Sequence, residues 1–471
     1  MFHSFAVRHT ALTVGFRRLR TSLSTTHIIA LGFLSAILIG TVLLMLPAAT
    51  TDGNTTPWID CLFTATTSVC VTGLTAVTTA THWSLFGKIV ILILIQLGGL
   101  GIVSFTTAIM MVIGRKITLR DRMLLEDALN LDTLSGLVRF LRWIFMGTFL
   151  IEGFGAIGYS LLFIPKYGIL RGIWYSVFHS VSAFCNAGID LLGDNSLMDY
   201  LTNPWMNVVT MALIIMGGLG FIVWRDLVRI MRSIREKTIP PRQCFSRLSV
   251  HTKLVLVTTA LLLLLGTVFV FALEYSNPAT IGKLTIPQKI MASCFQSVTL
   301  RTAGFITFSQ SGLRGSTVLI CLLLMLIGGS SIGTAGGIKT TTVALLFCST
   351  AATVKGSEHV VIFKRMIPQR TIAKALAVTL VSLLVLCAAI IGLSVVQPAS
   401  DLLDIAYEAT SAIATVGLSR NYTGQLHFLG KAIIILCMYL GRIGPISLAI
   451  FFNSRKKNAI LTYAKEDITV G

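Results

Sequence analysis

The sequence predicts an all-α integral membrane protein assembled from four unequal copies of one helix–re-entrant loop–helix unit. Three observations predict it: a composition too apolar for water, uncharged runs of spanning length, and a glycine motif that recurs at a nearly constant interval. Of the 471 residues, 54% are hydrophobic and 12% charged, and the mean hydropathy is +0.83. A soluble chain carries about a quarter charged residues, so this one needs a lipid solvent. The runs at 28–46, 89–113, 205–224, 254–273, 316–338 and 375–396 contain no Asp, Glu, Lys or Arg. Each is near the roughly 20 residues that a helix needs to cross the hydrocarbon core. The runs at 143–164 and 432–452 carry one charge each, Glu152 and Arg442, and eight spans follow.

A net charge of +19 is compatible with nucleic-acid binding, but its placement argues for topology. Lys and Arg number 4 in 1–26, 6 in 114–142, 8 in 225–253, 5 in 355–374 and 4 in 454–471. The alternate connections hold only Lys88, Lys166, Arg171, Lys283, Lys289, Arg314, Arg420 and Lys431. Positive residues stay on the cytoplasmic side of a membrane, so both termini are expected there. The apolar run after Arg17, Arg18 and Arg20 is longer than the core of a signal peptide and is read as a permanent helix. Nine cysteines without a Cys-x-x-Cys pair read as small apolar residues rather than as a zinc site or disulfide frame.

The repeat is the most informative feature. Thr67-Ser68-Val69-Cys70-Val71-Thr72-Gly73-Leu74, Ser182-Ala183-Phe184-Cys185-Asn186-Ala187-Gly188-Ile189, Thr299-Leu300-Arg301-Thr302-Ala303-Gly304-Phe305 and Ser411-Ala412-Ile413-Ala414-Thr415-Val416-Gly417-Leu418 share a Ser/Thr-containing stretch, a glycine and an apolar residue. The four glycines are 115, 116 and 113 residues apart. A short amphipathic run precedes each, at 58–69, 172–184, 288–300 and 402–413, too brief to cross a bilayer and read as a re-entrant helix. The helix after each loop carries an echo: Gly98-Gly99, Gly217-Gly218, Gly328-Gly329 and Gly441-Arg442. The units are expected at 27–113, 139–224, 251–347 and 371–453, between cytoplasmic tails at 1–26 and 454–471.

Such loops suit a dehydrated cation, which at membrane depth needs replacement ligands that backbone carbonyls supply. Non-helical backbone is tolerated there when it lines a water-filled path, and the partially negative C-terminal ends of the short helices favour a cation. On these motifs the chain resembles the superfamily of potassium transporters comprising Trk, Ktr and HKT proteins, over nearly its whole length. Within it the eight spans and short N-terminal tail are most similar to the KtrB branch, the membrane subunits of bacterial Ktr systems. The resemblance implies a potassium-channel-like pore with Gly73, Gly188, Gly304 and Gly417 as filter glycines. Val71, Thr72, Asn186, Ala187, Thr302, Ala303, Thr415 and Val416 would offer carbonyls to K+. In related plant proteins a serine in the first loop goes with sodium transport; Gly73 there leans towards potassium. The TVGYG of channels has a second glycine that these loops lack, which implies weaker exclusion of sodium.

The third unit interrupts its own second helix. Gly328-Gly329-Ser330-Ser331-Ile332-Gly333-Thr334-Ala335-Gly336-Gly337-Ile338-Lys339 is too rich in glycine and small polar residues for a helix interior. Discontinuous helices point to transport pathways, and the segment 328–338 resembles the intramembrane gating loop of the family. Relatives often have Pro-Gly-Ser where this chain has Ser331-Ile332-Gly333. A nucleotide loop is excluded because Gly337 and Lys339 are not adjacent and no strand precedes them. Arg442 replaces the second glycine of its pair at mid-bilayer depth, where an ionised side chain defaults to a functional reading; in the family the matching arginine faces the pore beneath the filter. Glu152 is open between a packing acid, a protonated carboxyl and a coupling-ion or buried-network role. Asp190, Asp194, Asp199, Asp401, Asp404 and Glu408 are open between concentrating cations at the outer mouth and being ordinary solvated residues.

The expected function is potassium uptake across the cytoplasmic (inner) membrane of a bacterium through a gated pore, without covalent cofactor, with K+ as substrate and Na+ as a candidate activator. By resemblance, the partners are a second copy of the chain and a cytoplasmic KtrA-type ring that binds adenine nucleotides. The basic loops are candidate docking surfaces, and the tail ending at Gly471 a candidate dimer contact. Membrane lipids are partners and nucleic acid is not. An ion-coupled (Na+ or H+) symporter with alternating access is the alternative. An intramembrane enzyme is excluded: the eight histidines are scattered, with no HExxH, and acids in the spans are nearly absent.

Overall fold

The computed structural model describes residues 25–101, 136–193, 195–238, 240–357 and 359–444, with 104, 105, 107 and 123. The expected C-terminal tail, nearly all of the N-terminal tail, most of the 114–142 segment, Asp194 and the ends of the runs at 89–113 and 432–452 lie outside the described residues. In chain order the longer helices are α1 (Thr25–Leu44), α2 (Trp58–Cys70), α3 (Leu85–Leu100), α4 (Leu137–Tyr167), α5 (Ile169–Cys185), α6 (Pro204–Leu219) and α7 (Phe221–Arg235). They continue with α8 (Val250–Glu274), α9 (Ile286–Thr299), α10 (Gly315–Leu326), α11 (Thr340–Val354), α12 (Gln369–Val396), α13 (Leu402–Ala414) and α14 (Phe428–Ile443). A small hairpin, β1 (Val361–Ile362) and β2 (Arg365–Met366), pairs Val361 with Met366 and joins α11 to α12.

Apolar side chains lie on the outside as well as in the core, and many small polar ones are inside. Leu38, Ile39 and Val42 of α1, Leu150 and Phe154 of α4, and Leu261 and Leu264 of α8 are exposed. Thr66, Thr67, Ser68, Ser180, Ser182, Thr299 and Ser411 are fully buried. Apolar exteriors of this extent are stable in lipid rather than in water. Helices α1, α4, α8 and α12 are long and apolar enough to cross a membrane, yet only 17–33% of their most apolar windows are buried within the chain. The backbone polar groups of such helices are satisfied internally, which lets them face hydrocarbon.

Helix breaks interrupt two of the runs read as spans. Among the described residues four helices qualify as spans, or five if α6 and α7, bent by 97° at Gly220, are taken as one. Helices α3, α10 and α11 are shorter apolar helices. The uncharged run at 205–224 therefore contains a corner, and that at 316–338 leaves the helix after Leu326. Helices α3, α6 and α14 end in the same way: Gly101, Gly220 and Gly444 have φ of +82°, +88° and +91°. That conformation stops a right-handed helix at little cost only for glycine. Hydropathy is averaged over a window and carries no trace of it.

The four short runs form α2, α5, α9 and α13, with ends within three residues of expectation. Local chemistry starts them: Thr285 and Gln288 close a capping box at α9, and the Asp401 carboxylate accepts from Leu403 N at the head of α13. From Ile59 to Cys70, every residue of α2 except Leu62 is buried. These helices form the centre of the molecule, and the long apolar helices surround them.

Candidate functional site

The loops that follow α2, α5, α9 and α13 meet at one place. A Cβ built on Gly73 would stand 2.5 Å from the Ala187 carbonyl oxygen, one on Gly188 2.6 Å from that of Ala303, and one on Gly304 2.8 Å from that of Val416. One on Gly417 would strike the carbonyl oxygen of Thr72. Each glycine therefore abuts the carbonyl just before the next glycine, in the cyclic order first, second, third, fourth, first. All four have positive φ, at +100°, +63°, +81° and +90°. Close approach and conformation both require glycine here.

A second feature was not visible in the sequence. The residue two before each glycine is left-handed: Val71 (φ 55°), Asn186 (φ 59°), Thr302 (φ 63°) and Thr415 (φ 52°). For β-branched Val71, Thr302 and Thr415 this is a strained conformation. Left-handed turns there end α2, α5 and α13. Hydroxyls from the last helical turn hold the strained segments. Thr67 Oγ1 and Ser411 Oγ accept from the N–H of Gly73 and Gly417, each at 3.0 Å. Ser182 Oγ donates to Ile189 O at 2.6 Å and Thr299 Oγ1 to Phe305 O at 2.7 Å. The Ser/Thr richness of the motif thus has a mechanical role.

This bracing uses the N–H groups of Gly73 and Gly417 and the carbonyls of Ile189 and Phe305, and leaves the carbonyls that precede the glycines. Among the hydrogen bonds of the described residues, none ends on the carbonyl oxygens of Val71, Thr72, Asn186, Ala187, Thr302, Ala303, Thr415 or Val416. All eight residues are buried. The hydroxyls of Thr72, Thr302 and Thr415 are also buried without a partner. A buried acceptor without a donor costs about 1–3 kcal/mol, a cost that a positive partner among these oxygens would offset. Oxygens without donors fit a hard cation.

The glycine pairs are points of close packing. The first glycine of a pair, Gly98, Gly217 or Gly441, lies against the carbonyl of Val69, Phe184 or Ile413 at the end of the preceding short helix, leaving no room for a Cβ. In the third unit Gly328 instead meets Gly336 O, because the chain turns out of the helix and back. Ile338 N donates to Leu326 O at 3.0 Å and Gly328 N to Ile338 O at 2.9 Å. Between these bonds the excursion is tied to the end of α6: Ser330 N to Gly218 O (2.9 Å), Thr334 N to Gly217 O (3.3 Å) and Phe221 N to Ile332 O (2.9 Å). Gly329 O accepts from Thr340 N, Ser331 Oγ lies 3.4 Å from Thr341 Oγ1, and Gly333 packs on Gly217 O. Thr334 Oγ1 donates to Phe184 O at 3.1 Å. Gly336 packs directly on Thr415, Gly337 has φ +67°, and Lys339 Nζ folds back onto Ala335 O at 2.7 Å. The excursion therefore lies against the second and fourth glycine loops.

Arg442, half-buried at the end of α14, donates from Nη1 to Thr334 O at 2.5 Å and from Nη2 to the carbonyl of Gly98. It links the excursion to the end of α3. Glu152 on α4 is 5% exposed, and Gln96 Nε2 donates to both its oxygens at 3.1 and 3.2 Å. Cys185, next to the left-handed Asn186, places its thiol 3.6 Å from Gln96 Oε1. The buried-network reading of Glu152 describes this geometry; Gln96 was missed because an uncharged amide does not stand out in an apolar run. Arg301, also unremarked in the sequence, donates from Nη2 to Gly328 O at 2.8 Å.

The outer acids are not a uniform solvated set. Glu408 is fully buried and accepts from Thr423 at 2.5 Å and Ser419 at 2.7 Å, so it braces the fourth unit's own loop and is withdrawn from the mouth. Asp404 pairs with Arg420 at 3.2 Å. Asp190 accepts from Leu192 N at 2.9 Å, while Asp199 and Asp401 are exposed.

The family described as TrkH, cation transport protein, matches residues 15–460. The Ktr system potassium uptake protein B of Bacillus subtilis is 42% identical over 434 residues, covering 92% of this chain and 94% of that one. The potassium/sodium uptake protein NtpJ of Enterococcus hirae is 39% identical, covering 98% and 100%. The crystal structure of the potassium transporter TrkH from Vibrio parahaemolyticus superposes with a TM-score of 0.67 at 18% identity, over 89% of this chain and 84% of that one. That likeness speaks for the fold alone. With the apolar helices it makes this an all-α, multi-pass membrane protein.

Proposed function

The chain belongs to the TrkH family of cation transport proteins, and from that premise we propose that it takes up potassium through a gated, channel-like path whose filter is the ring of glycine loops. One observation carries the reading: eight buried carbonyls from four loops, all without a donor, are arranged around four mutually abutting glycines. A potassium ion that sheds its hydration needs such oxygens, and the oxygens need a positive partner. The names of relatives that are potassium uptake proteins support the choice of cation.

In this proposal the excursion 328–338 is the gate. It lies against the loops of the second and fourth units and is held by Arg442, whose charge adds a barrier to cations. The broken helices α3, α6, α10 and α14 then begin the second helix of each unit in a fourfold helix–loop–helix architecture with eight passes, both tails being cytoplasmic in the inner membrane of a bacterium. Regulation is assigned to a cytoplasmic nucleotide-binding ring on a homodimer, with sodium as an activator. Support for this part is the Ktr system named by the relatives and the positive charge of the expected cytoplasmic loops.

The test is cation flux in proteoliposomes holding the purified chain, with potassium, rubidium, sodium and lithium compared. Potassium and rubidium should pass in preference to lithium, and Gly73→Ser should raise the sodium share. Equal fluxes of all four cations, or movement of potassium only when a sodium or proton gradient drives it, would overturn the filter reading.

A further inference from the structure

Arg301 is a buried cation that neither the repeat nor the proposed gate uses. It lies three residues before Gly304 and is 8% exposed. The ion pairs of the described residues are Arg229–Asp226, Arg420–Asp404 and Lys431–Asp60, so no carboxylate neutralises it there. Its Nη2 donates to Gly328 O at 2.8 Å. Gly328 is where the chain leaves α10, as its own N–H already bonds to Ile338 on the returning limb. One side chain therefore spans from the third glycine loop to the hinge of the excursion. Arg442 holds the same excursion at Thr334, near its tip.

The other half of the guanidinium has no partner among the described residues. Arg301 Nη1 and the hydroxyl of Thr259 on α8 both lack a partner, and both residues line one cavity of about 20 Å3 with Gly218 and Gly329. Gly329 follows Gly328 in the excursion and Gly218 is its anchor on α6. On the far side of its bond to Gly328 the guanidinium has open space, lined by the Thr259 hydroxyl and otherwise mainly by Ile214, Ile215, Leu263 and Val298, so it has room to turn if Gly328 moves. A buried charge kept without a counter-ion is expensive, and a hydrogen bond to a moving element is a use that compensates for it.

We propose that Arg301 is a positioning residue that latches the hinge of the gating excursion to the third glycine loop, holding the excursion in its obstructing place. The proposal rests on the filter-and-gate reading above. It differs from a role in ion selection, because Arg301 binds the gate's backbone and not the donor-free carbonyls.

The experiment uses the full chain in proteoliposomes, with rubidium uptake measured against rubidium concentration for wild type, Arg301→Met, Arg301→Gln and Arg301→Lys. Loss of the latch raises the maximal rate in Arg301→Met by roughly threefold or more while KM and the rubidium-to-sodium ratio stay put, since a change in rate alone separates gating from ion binding. Arg301→Lys, which keeps one donor, returns towards wild type. An unchanged maximal rate in Arg301→Met, or KM and selectivity shifting with the rate, overturns the proposal. If Arg301→Met does not fold, Arg301→Gln is judged by the same criterion; failure of both to fold makes Arg301 a structural tie and also overturns it. A wild type that passes no rubidium in preference to sodium would instead defeat the filter reading itself.

Discussion

At the scale of single residues, the ring depends on what cannot be added to it. At Gly417 a Cβ would sit on the carbonyl of Thr72 at φ +90°, so Gly417→Ala must move the first loop or leave its own conformation. The left-handed penalty alone is about 1 kcal/mol, small against a folded membrane protein, whereas the displaced carbonyl belongs to the proposed filter. The expected outcome is a variant that purifies normally and loses at least about tenfold in rubidium uptake, a loss of the order that a misplacement of about 1 Å produces. Normal uptake in Gly417→Ala would show that the ring does not carry ions. Glu152 makes a contrasting case behind the second loop. Glu152→Ala leaves Gln96 Nε2 buried without an acceptor, at about 1–3 kcal/mol, and should lower the unfolding temperature in detergent; Glu152→Gln, which keeps an oxygen, should lower it less. Equal melting of all three chains would mean that the bond to Gln96 contributes nothing. The sequence made the four glycines legible because their spacing is a property of letters. It hid Val71 and Thr415 as strained residues, since β-branched side chains argue for extended backbone, and it hid Arg301 because its partner Gly328 is 27 residues away.

At the scale of elements, the excursion between α10 and α11 was legible by its glycines, but its attachments were not. Its bonds to Gly217, Gly218 and Phe221 reach two helices, α6 and α7, more than a hundred residues earlier, and hydropathy offers no hint of them. The same blindness made one span of α6 and α7, where Gly220 turns the chain by 97°. The interruption also stores strain: Ile332 stands at φ +59°, a rare conformation for a β-branched residue, and its carbonyl is held by Phe221 N. Ile332→Gly removes the penalty without removing that bond, so it should stabilise the present conformation and lower the maximal uptake rate. Arg442→Ala does the opposite, since it frees Thr334 O and Gly98 O together, and it should raise the rate with the fold intact. Uptake curves of the two variants that move in the same direction would contradict the assignment of the excursion as gate.

At the scale of the whole molecule, the four loops close only if the last unit returns to the first. Gly417 against Thr72 is that closure at the centre, and an ion pair forms it at the periphery. Lys431 Nζ at the start of α14 meets Asp60 Oδ1 in the first turn of α2 at 2.5 Å, across 371 residues of sequence. Both side chains are largely buried, at 16% and 13% exposure, so the pair is screened less than a surface pair. The sequence showed both residues but gave no reason to join them, because only ring closure brings α2 and α14 together. Removing one partner strands the other: Lys431→Met leaves a buried carboxylate, and a loss of about 1–3 kcal/mol is expected, below the 3–5 kcal/mol of a fully buried pair. The exchange Asp60→Lys with Lys431→Asp restores opposite charges and should recover part of the loss. Thermal unfolding in detergent measures both. Because the pair holds the first short helix against the last unit, Lys431→Met should also loosen the Thr72–Gly417 contact and raise the sodium share of the flux at temperatures below unfolding. A variant that melts lower yet keeps its cation preference would show that the peripheral clasp and the central ring are independent.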